Sequence, residues 1–198
     1  MSDGPATPLR LGILVSGRGS NMASILRAIE EGRLNAEAVL VISDTPQAPA
    51  LEIATAKGVK AVTIVRKIFP DKASFEMAIA SVLKAAEVEL VVLAGFMRLL
   101  SPVFINEFPD RIINVHPALL PAFPGVDAQK QALDYGVKIA GCTVHYVNEI
   151  MDGGRIIDQA AVAVMPGDTP ETLSARILEQ EHRLLPEVIG RLAADRRI

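Results

Sequence analysis

Short runs of branched apolar residues recur along this chain, and between them lie stretches whose apolar positions fall three and four apart. Residues 9–15, LRLGILV, form the first run, which breaks off at Ser16-Gly17-Arg18-Gly19-Ser20-Asn21. A buried strand entering a glycine turn has this pattern. Beyond the turn Met22, Ile25, Leu26 and Ile29 share one helical face, and Gly32 stands where a helix C-terminus needs a left-handed residue. The opening unit is strand, glycine loop, helix.

The alternation continues, with strands expected over residues 38–42, 61–65 and 89–93 and helices over 50–57 and around Phe75, Ile79, Val82 and Leu83. After a loop at residues 95–100 and a short helix from Ser101-Pro102, residues 112–116 make a fifth strand, and a helix follows over 127–135. Strands and helices alternating at these lengths imply a parallel sheet covered on both faces, with ligands bound beyond the carboxyl ends of the strands. The texture then changes. Residues 138–147 and 155–164 read as two strands joined by a turn-rich loop, most simply a hairpin, so the sheet becomes mixed at its end. Thr169 caps a last helix with Pro170 at its first position; Leu173, Ile177, Leu184 and Val188 form its stripe, and Pro186 should kink or restart it. The fold class is α/β, in a single domain over residues 1–198 whose first eight residues read as a loose polar tail.

Composition narrows the classes of function. With 198 residues, 50% of them apolar, the chain can bury a real core. A formal net charge of -3, with Lys and Arg scattered, argues against a nucleic-acid surface but leaves room for one small anionic ligand. Cys142 is the only cysteine, which excludes an intrachain disulfide and a cysteine-based metal cage. The longest apolar run, residues 90–97, is too short to span a bilayer, and the start resembles no signal peptide. A cytoplasmic protein without a membrane partner is expected, and a homodimer stays open.

Candidate chemistry concentrates at residues 112–125, IINVHPALLPAFPG. Asn114 and His116 are two apart on one strand, so their side chains should emerge on the same face. Pro117, Pro121 and Pro124 stiffen the loop that follows. The alternative is a hydrogen-bonded core histidine. Asp152, in Met151-Asp152-Gly153-Gly154, reads as a turn residue or as a carboxylate whose glycines let the backbone approach a ligand; beside His116 it would favour the imidazolium. The loop from Ser16 to Asn21 opens a helix directly after a strand, where free N–H groups and the helix dipole favour a phosphate. Its alternative is an ordinary turn capped by Ser20 or Asn21. A dinucleotide reading gains from Gly17, Gly19 and Asp44 but meets Met22 where the third glycine belongs. Arg98 and Lys72 are anion anchors or plain surface cations, His145 reads as structural, and Glu181 stands beside His182 on the last helix.

Together SGRGSN, LAGFMRLLSP, NVHPALLP and GCTVHYVNEIMDGG resemble, in order and spacing, the glycinamide ribonucleotide transformylases, the folate-dependent phosphoribosylglycinamide formyltransferases. The resemblance covers nearly the whole chain. It implies the formyltransferase fold, a Rossmann-like, mostly parallel sheet of about seven strands, mixed at its C-terminal end, with helices on both faces. It also implies metal-free formyl transfer from 10-formyltetrahydrofolate to the amine of glycinamide ribonucleotide in purine (IMP) biosynthesis. Carried over by position, Asn114, His116 and Asp152 would be catalytic, and Gly19, Ser20 and Asn21 would hold the substrate phosphate. Glu181 would meet the substrate amine; Lys72, Met97, Arg98, Leu99 and Leu100, with Asn114 and the loop before Asp152, would line the folate site. On this division residues 9–100 are a phosphate-binding half and 101–198 a catalytic and folate-binding half. The chain departs from the family at Lys72, where an arginine is usual, at Ala122, and at Gly154-Arg155 in place of Gly-Pro.

The nearest rivals share the Asn, His and Asp core. Formyltetrahydrofolate hydrolases and methionyl-tRNA formyltransferases carry an extra domain for which this chain has no room, while a sugar-nucleotide N-formyltransferase is harder to set aside. A nicotinamide-dependent oxidoreductase and a noncatalytic phosphate-binding module are the competing readings from other classes.

Overall fold

The computed structural model describes residues 7–195, so most of the tail expected over residues 1–8 lies outside the described residues. Strands β1 (Leu9–Val15), β2 (Ala36–Ser43), β3 (Ala61–Thr63), β4 (Leu90–Leu93), β5 (Ile112–His116), β6 (Ile139–Tyr146) and β7 (Ile156–Ala163) form one sheet. Their order is β3-β2-β1-β4-β5-β6-β7. β1 to β5 pair in parallel, and β6 and β7 are antiparallel to their neighbours. The mixed sheet and the hairpin are as the sequence implied. Helices α1 (Ser20–Glu30), α2 (Pro49–Ala56), α3 (Lys72–Ala85), α4 (Pro102–Ile105), α5 (Ala128–Tyr135) and α6 (Pro170–Asp195) connect and cover it. Among the described residues no helix is long and apolar enough to cross a membrane.

Alternation along the strands divides the core in two. Ile13 and Val15 face one side with Met22 and Ile25 of α1 and Leu173 and Ile177 of α6. Leu14 faces the other with Phe75, Ile79 and Leu83 of α3 and Phe104 of α4. A strand buried on both faces needs an unbroken apolar run, which is why β1 and β4 read so clearly. β3 covers only residues 61–63 of the strand expected over 61–65, and a single turn of 3-10 helix, Arg66–Ile68, follows it. α6 runs unbroken through Pro186, so the proline does not restart the helix. Leu184, Leu185, Pro186 and Val188 are all buried, so packing against the sheet holds the helix where one backbone bond is lost.

This topology fixes where a ligand can sit. The strand order reverses between β1 and β4, and the loops leaving their carboxyl ends are stitched together. Ser16 N–H donates to the Gly95 carbonyl at 3.1 Å, and Met97 N–H donates to Ser16 Oγ at 2.9 Å. On its other side the glycine loop is pinned to α2, whose Ala50 N–H donates to the Gly17 carbonyl at 3.2 Å. Gly19 makes the approach possible. It adopts φ 75°, and a Cβ there would stand 2.5 Å from that of Ala50. Gly19→Ala should therefore lower stability by about 1–3 kcal/mol. Urea unfolding checks this, and an unchanged midpoint would contradict it.

Candidate active site

β5 and β6 bring four polar side chains together by register. Asn114 lies opposite His145 and His116 opposite Thr143, so all four project from one face of an otherwise apolar ribbon. Thr143 is wholly buried and shapes the proline loop: its hydroxyl donates to the Ala118 carbonyl at 2.7 Å and accepts from Leu120 N–H at 3.0 Å. His145 Nδ1 lies 2.9 Å from the Tyr146 carbonyl and must donate to it. Its Nε2 then offers a lone pair, which accepts from Asn114 Nδ2 at 3.2 Å. Burial pushes the His145 pKa down, keeping the ring neutral; the nearby charge of Asp152 opposes this and His116 adds to it.

Asp152 joins these groups from the loop between β6 and β7. Its Oδ2 lies 3.4 Å from His116 Nδ1 and accepts from Gly125 N–H at 2.8 Å. Its Oδ1 lies 3.7 Å from His145 Nε2. The other nitrogen of His116, Nε2, donates to the Phe123 carbonyl at 2.8 Å. Both nitrogens of His116 thus face oxygen acceptors, an arrangement that the imidazolium satisfies. Asp152 itself sits at φ 51°, a left-handed conformation that Asp tolerates better than most residues. The glycines that follow serve the chain's own packing. A Cβ on Gly154 would meet the Tyr146 carbonyl oxygen at 1.7 Å, so the loop can return beside β6 only with glycine there.

The phosphate-type loop is backed by the last helix. Gly19 is the N-cap of α1, and among the described residues no side chain caps that end, so neither Ser20 nor Asn21 takes the alternative capping role. Asn21 instead donates from Nδ2 to Glu181 Oε2 at 2.7 Å, across two helices. Its Oδ1 is buried and has no hydrogen-bond partner among the described residues. Glu181 is 6% exposed. Burial pushes its carboxyl up to about 7, partly offset by the Asn21 hydrogen bond.

Residues 9–189 match the formyl transferase family. The chain belongs to that family. Among curated relatives of this formyl transferase, phosphoribosylglycinamide formyltransferase of Bacillus subtilis is 44% identical over 183 residues, which are 92% of this chain and 94% of the relative. The trifunctional purine biosynthetic protein adenosine-3 of Drosophila pseudoobscura pseudoobscura is 46% identical over 187 residues, 93% of this chain but 14% of that protein's length. Glycinamide ribonucleotide transformylase 1 from Symbiobacterium toebii shares the fold at a TM-score of 0.96 and 47% identity, covering 99% of this chain and 92% of its own.

The formyl transferase also has a cleft of about 440 Å³ beside the loop after β4, lined by five of the expected folate residues, Lys72, Met97, Arg98, Leu99 and Leu100, together with Arg66, while Asn114 is not part of its lining. Met97 and Leu99 are exposed there. Arg98 is not a free cation: its Nε donates to Asp44 Oδ2 at 2.5 Å, and its guanidinium lies 5.6 Å from the centre of the Phe75 ring. The same pair occupies the acid that a dinucleotide ribose would need. Lys72 lies 3.7 Å from Glu76, a buried carboxylate that accepts from the backbone and hydroxyl of Ser101 and so anchors the cleft loop. The reading from sequence missed Glu76, although an acidic residue next to Phe75 on a core-facing helix turn is a signal. It also took His145 as structural. Strand alternation of Thr143 and His145 opposite Asn114 and His116 would have placed it in the site. The departure at Arg155 has a local reason, since its guanidinium stacks 4.4 Å from the centre of the Tyr146 ring. Among the described residues no group of three or more His, Cys, Asp or Glu side chains is arranged to hold a metal.

The raised carboxyl of Glu181 makes stability depend on pH in a definite direction. Below the ordinary value of 4.5 it is protonated folded or unfolded; above that, folding takes up a proton, and the stabilisation is lost as pH rises through about 7. Glu181→Gln should match the wild type in Tm near pH 4 and exceed it by a few °C near pH 8. A difference constant across pH would mean that Glu181 titrates as an exposed acid.

Proposed function

We propose that the chain transfers the formyl group of 10-formyltetrahydrofolate to the amine of N1-(5-phospho-D-ribosyl)glycinamide, a step of purine (IMP) biosynthesis. The observation that carries the reading is the meeting of Asn114, His116 and Asp152 at the sheet's carboxyl edge, two strands from the glycine loop, in a member of the formyl transferase family. Both small molecules are substrates, and neither a metal nor a covalent enzyme intermediate enters the chemistry.

Gly19, Ser20 and Asn21 hold the substrate phosphate with the N–H groups of the uncapped α1 terminus. Glu181 and the unpartnered Asn21 Oδ1 then offer acceptors to the substrate's amine end. The folate occupies the cleft of Lys72 and residues 97–100; on this reading its reactive end extends from there to Asn114 and the loop before Asp152. Lys72 supplies a point charge where a guanidinium would grip a carboxylate through two bonds, and Arg98 shares its charge with Asp44. Residues 9–100 thus serve mainly the phosphate, with the folate cleft at their end, and 101–198 the chemistry. A cytoplasmic location goes with these substrates.

As the amine nitrogen bonds to the formyl carbon, the carbonyl pair moves onto oxygen, and the resulting oxyanion meets the Asn114 amide and the His116 imidazolium. His116 Nε2 is held at 2.8 Å by the Phe123 carbonyl and Nδ1 only at 3.4 Å by Asp152 Oδ2, so the transferable proton is the one on Nδ1. That proton goes to the folate nitrogen as the carbon–nitrogen bond to it breaks. The attacking amine loses its own proton through a water ordered by Asp152, which returns His116 to its starting state.

The absorbance change on loss of the formyl group from 10-formyltetrahydrofolate tests the reading. Turnover should require the phosphoribosyl acceptor, and His116→Ala or Asn114→Ala should each cut kcat roughly 100- to 1000-fold. Circular dichroism checks that both variants are folded. Donor consumption without acceptor would make the enzyme a hydrolase, and unchanged rates in the variants would move the chemistry elsewhere.

A further inference from the structure

The proposed reaction needs Asn114 to present an N–H, rather than its carbonyl, to a developing oxyanion. A primary amide can turn over with little change in shape, so something must select the orientation. Among the described residues the group that does so is His145. The Tyr146 carbonyl, 2.9 Å from Nδ1, obliges that nitrogen to carry the ring hydrogen. Nε2, 3.2 Å from Asn114 Nδ2, is then an acceptor, and a flipped amide would set its oxygen against that lone pair.

We propose that His145 is a positioning residue for formyl transfer: its neutral ring holds one N–H of Asn114 and leaves the other aimed at the substrate oxygen. The inference rests on the formyl-transfer reading. Several observations agree with it. His145 is 2% exposed, so water does not compete for Nε2. Its strand register places it directly opposite Asn114, on a sheet rather than a loop, which fixes the distance between them. Burial pushes its pKa down, keeping the acceptor lone pair available. Asp152 Oδ1, 3.7 Å from Nε2, is itself an acceptor, so the hydrogen that Nε2 receives comes from Asn114. The relay runs Tyr146 carbonyl, His145, Asn114, and each link has a defined donor.

Two substitutions separate this role from simple packing. His145→Phe keeps a planar ring and removes both nitrogens. His145→Gln sets an amide oxygen where Nε2 was, so it can still accept from Asn114. His145→Phe should lose roughly 10- to 100-fold in kcat with KM for both substrates within about twofold, because a loosened donor costs rate rather than ground-state binding. His145→Gln should recover to within about fivefold of wild type. The side-chain NH₂ signals of Asn114 in the ligand-free, ¹⁵N-labelled protein, identified by their loss in Asn114→Asp, give a readout independent of turnover. One N–H should be protected from exchange in the wild type and the Gln variant, and unprotected in the Phe variant. An unprotected Asn114 amide in the wild type, a Gln variant as slow as Phe, or a Phe variant at the wild-type rate would overturn the proposal. Were the wild type to show protection but no formyl transfer, the relay would stand and the reaction assigned to it would fall.

Discussion

The carboxylate of Asp152 is the interaction on which the functional end of this molecule depends. It joins three segments: the β5 imidazole of His116, the proline loop through Gly125 N–H, and the β6–β7 loop that carries Asp152 itself. With its side chain only 12% exposed, the charge acts in a poorly screened environment, where its attraction for a protonated imidazole counts for more than at the surface. The carboxylate also shares its Oδ2 between a backbone N–H and His116, so the stiffness of the loop and the orientation of the acid/base are set together.

The scaffold explains why these groups can be placed so closely. The parallel half of the sheet supplies a switch point between β1 and β4, with a phosphate-type loop on one side and an apolar cleft on the other. The antiparallel half supplies what a purely parallel sheet would lack, a strand running back past β5 with polar side chains in cross-strand register. α6 then ties the halves together by bringing Glu181 down onto Asn21. Each contribution comes from a different stretch of sequence, and none forms a site alone.

Much of this was legible in the chain. Runs such as residues 9–15 and 90–93 lie on strands buried on both faces, and Gly32 closes α1 with the expected left-handed turn at φ 68°. The polar residues of NVH and MDGG were visible because they interrupt apolar or turn patterns, and they do meet. What escaped depended on pairing across the fold. His145 looks like any alternating strand residue until β6 is laid against β5 in one register. Glu76 and the Arg98–Asp44 pair join elements separated along the chain, so their partners are not visible locally. Pro186 could have restarted the last helix, but the buried face of α6 carries it through unbroken. Only the assembled core decides such a case.

The most direct test of the account is the effect of Asp152→Asn on turnover. Asn tolerates the same left-handed backbone, and its amide oxygen can still accept from Gly125 N–H, so loop geometry should persist while the charge is lost. The account predicts an enzyme with near-wild-type Tm and substrate KM values but a kcat lower by roughly 100-fold or more. A variant that turned over at the wild-type rate would contradict it, because the charge that Asp152 sets beside His116 would then be dispensable.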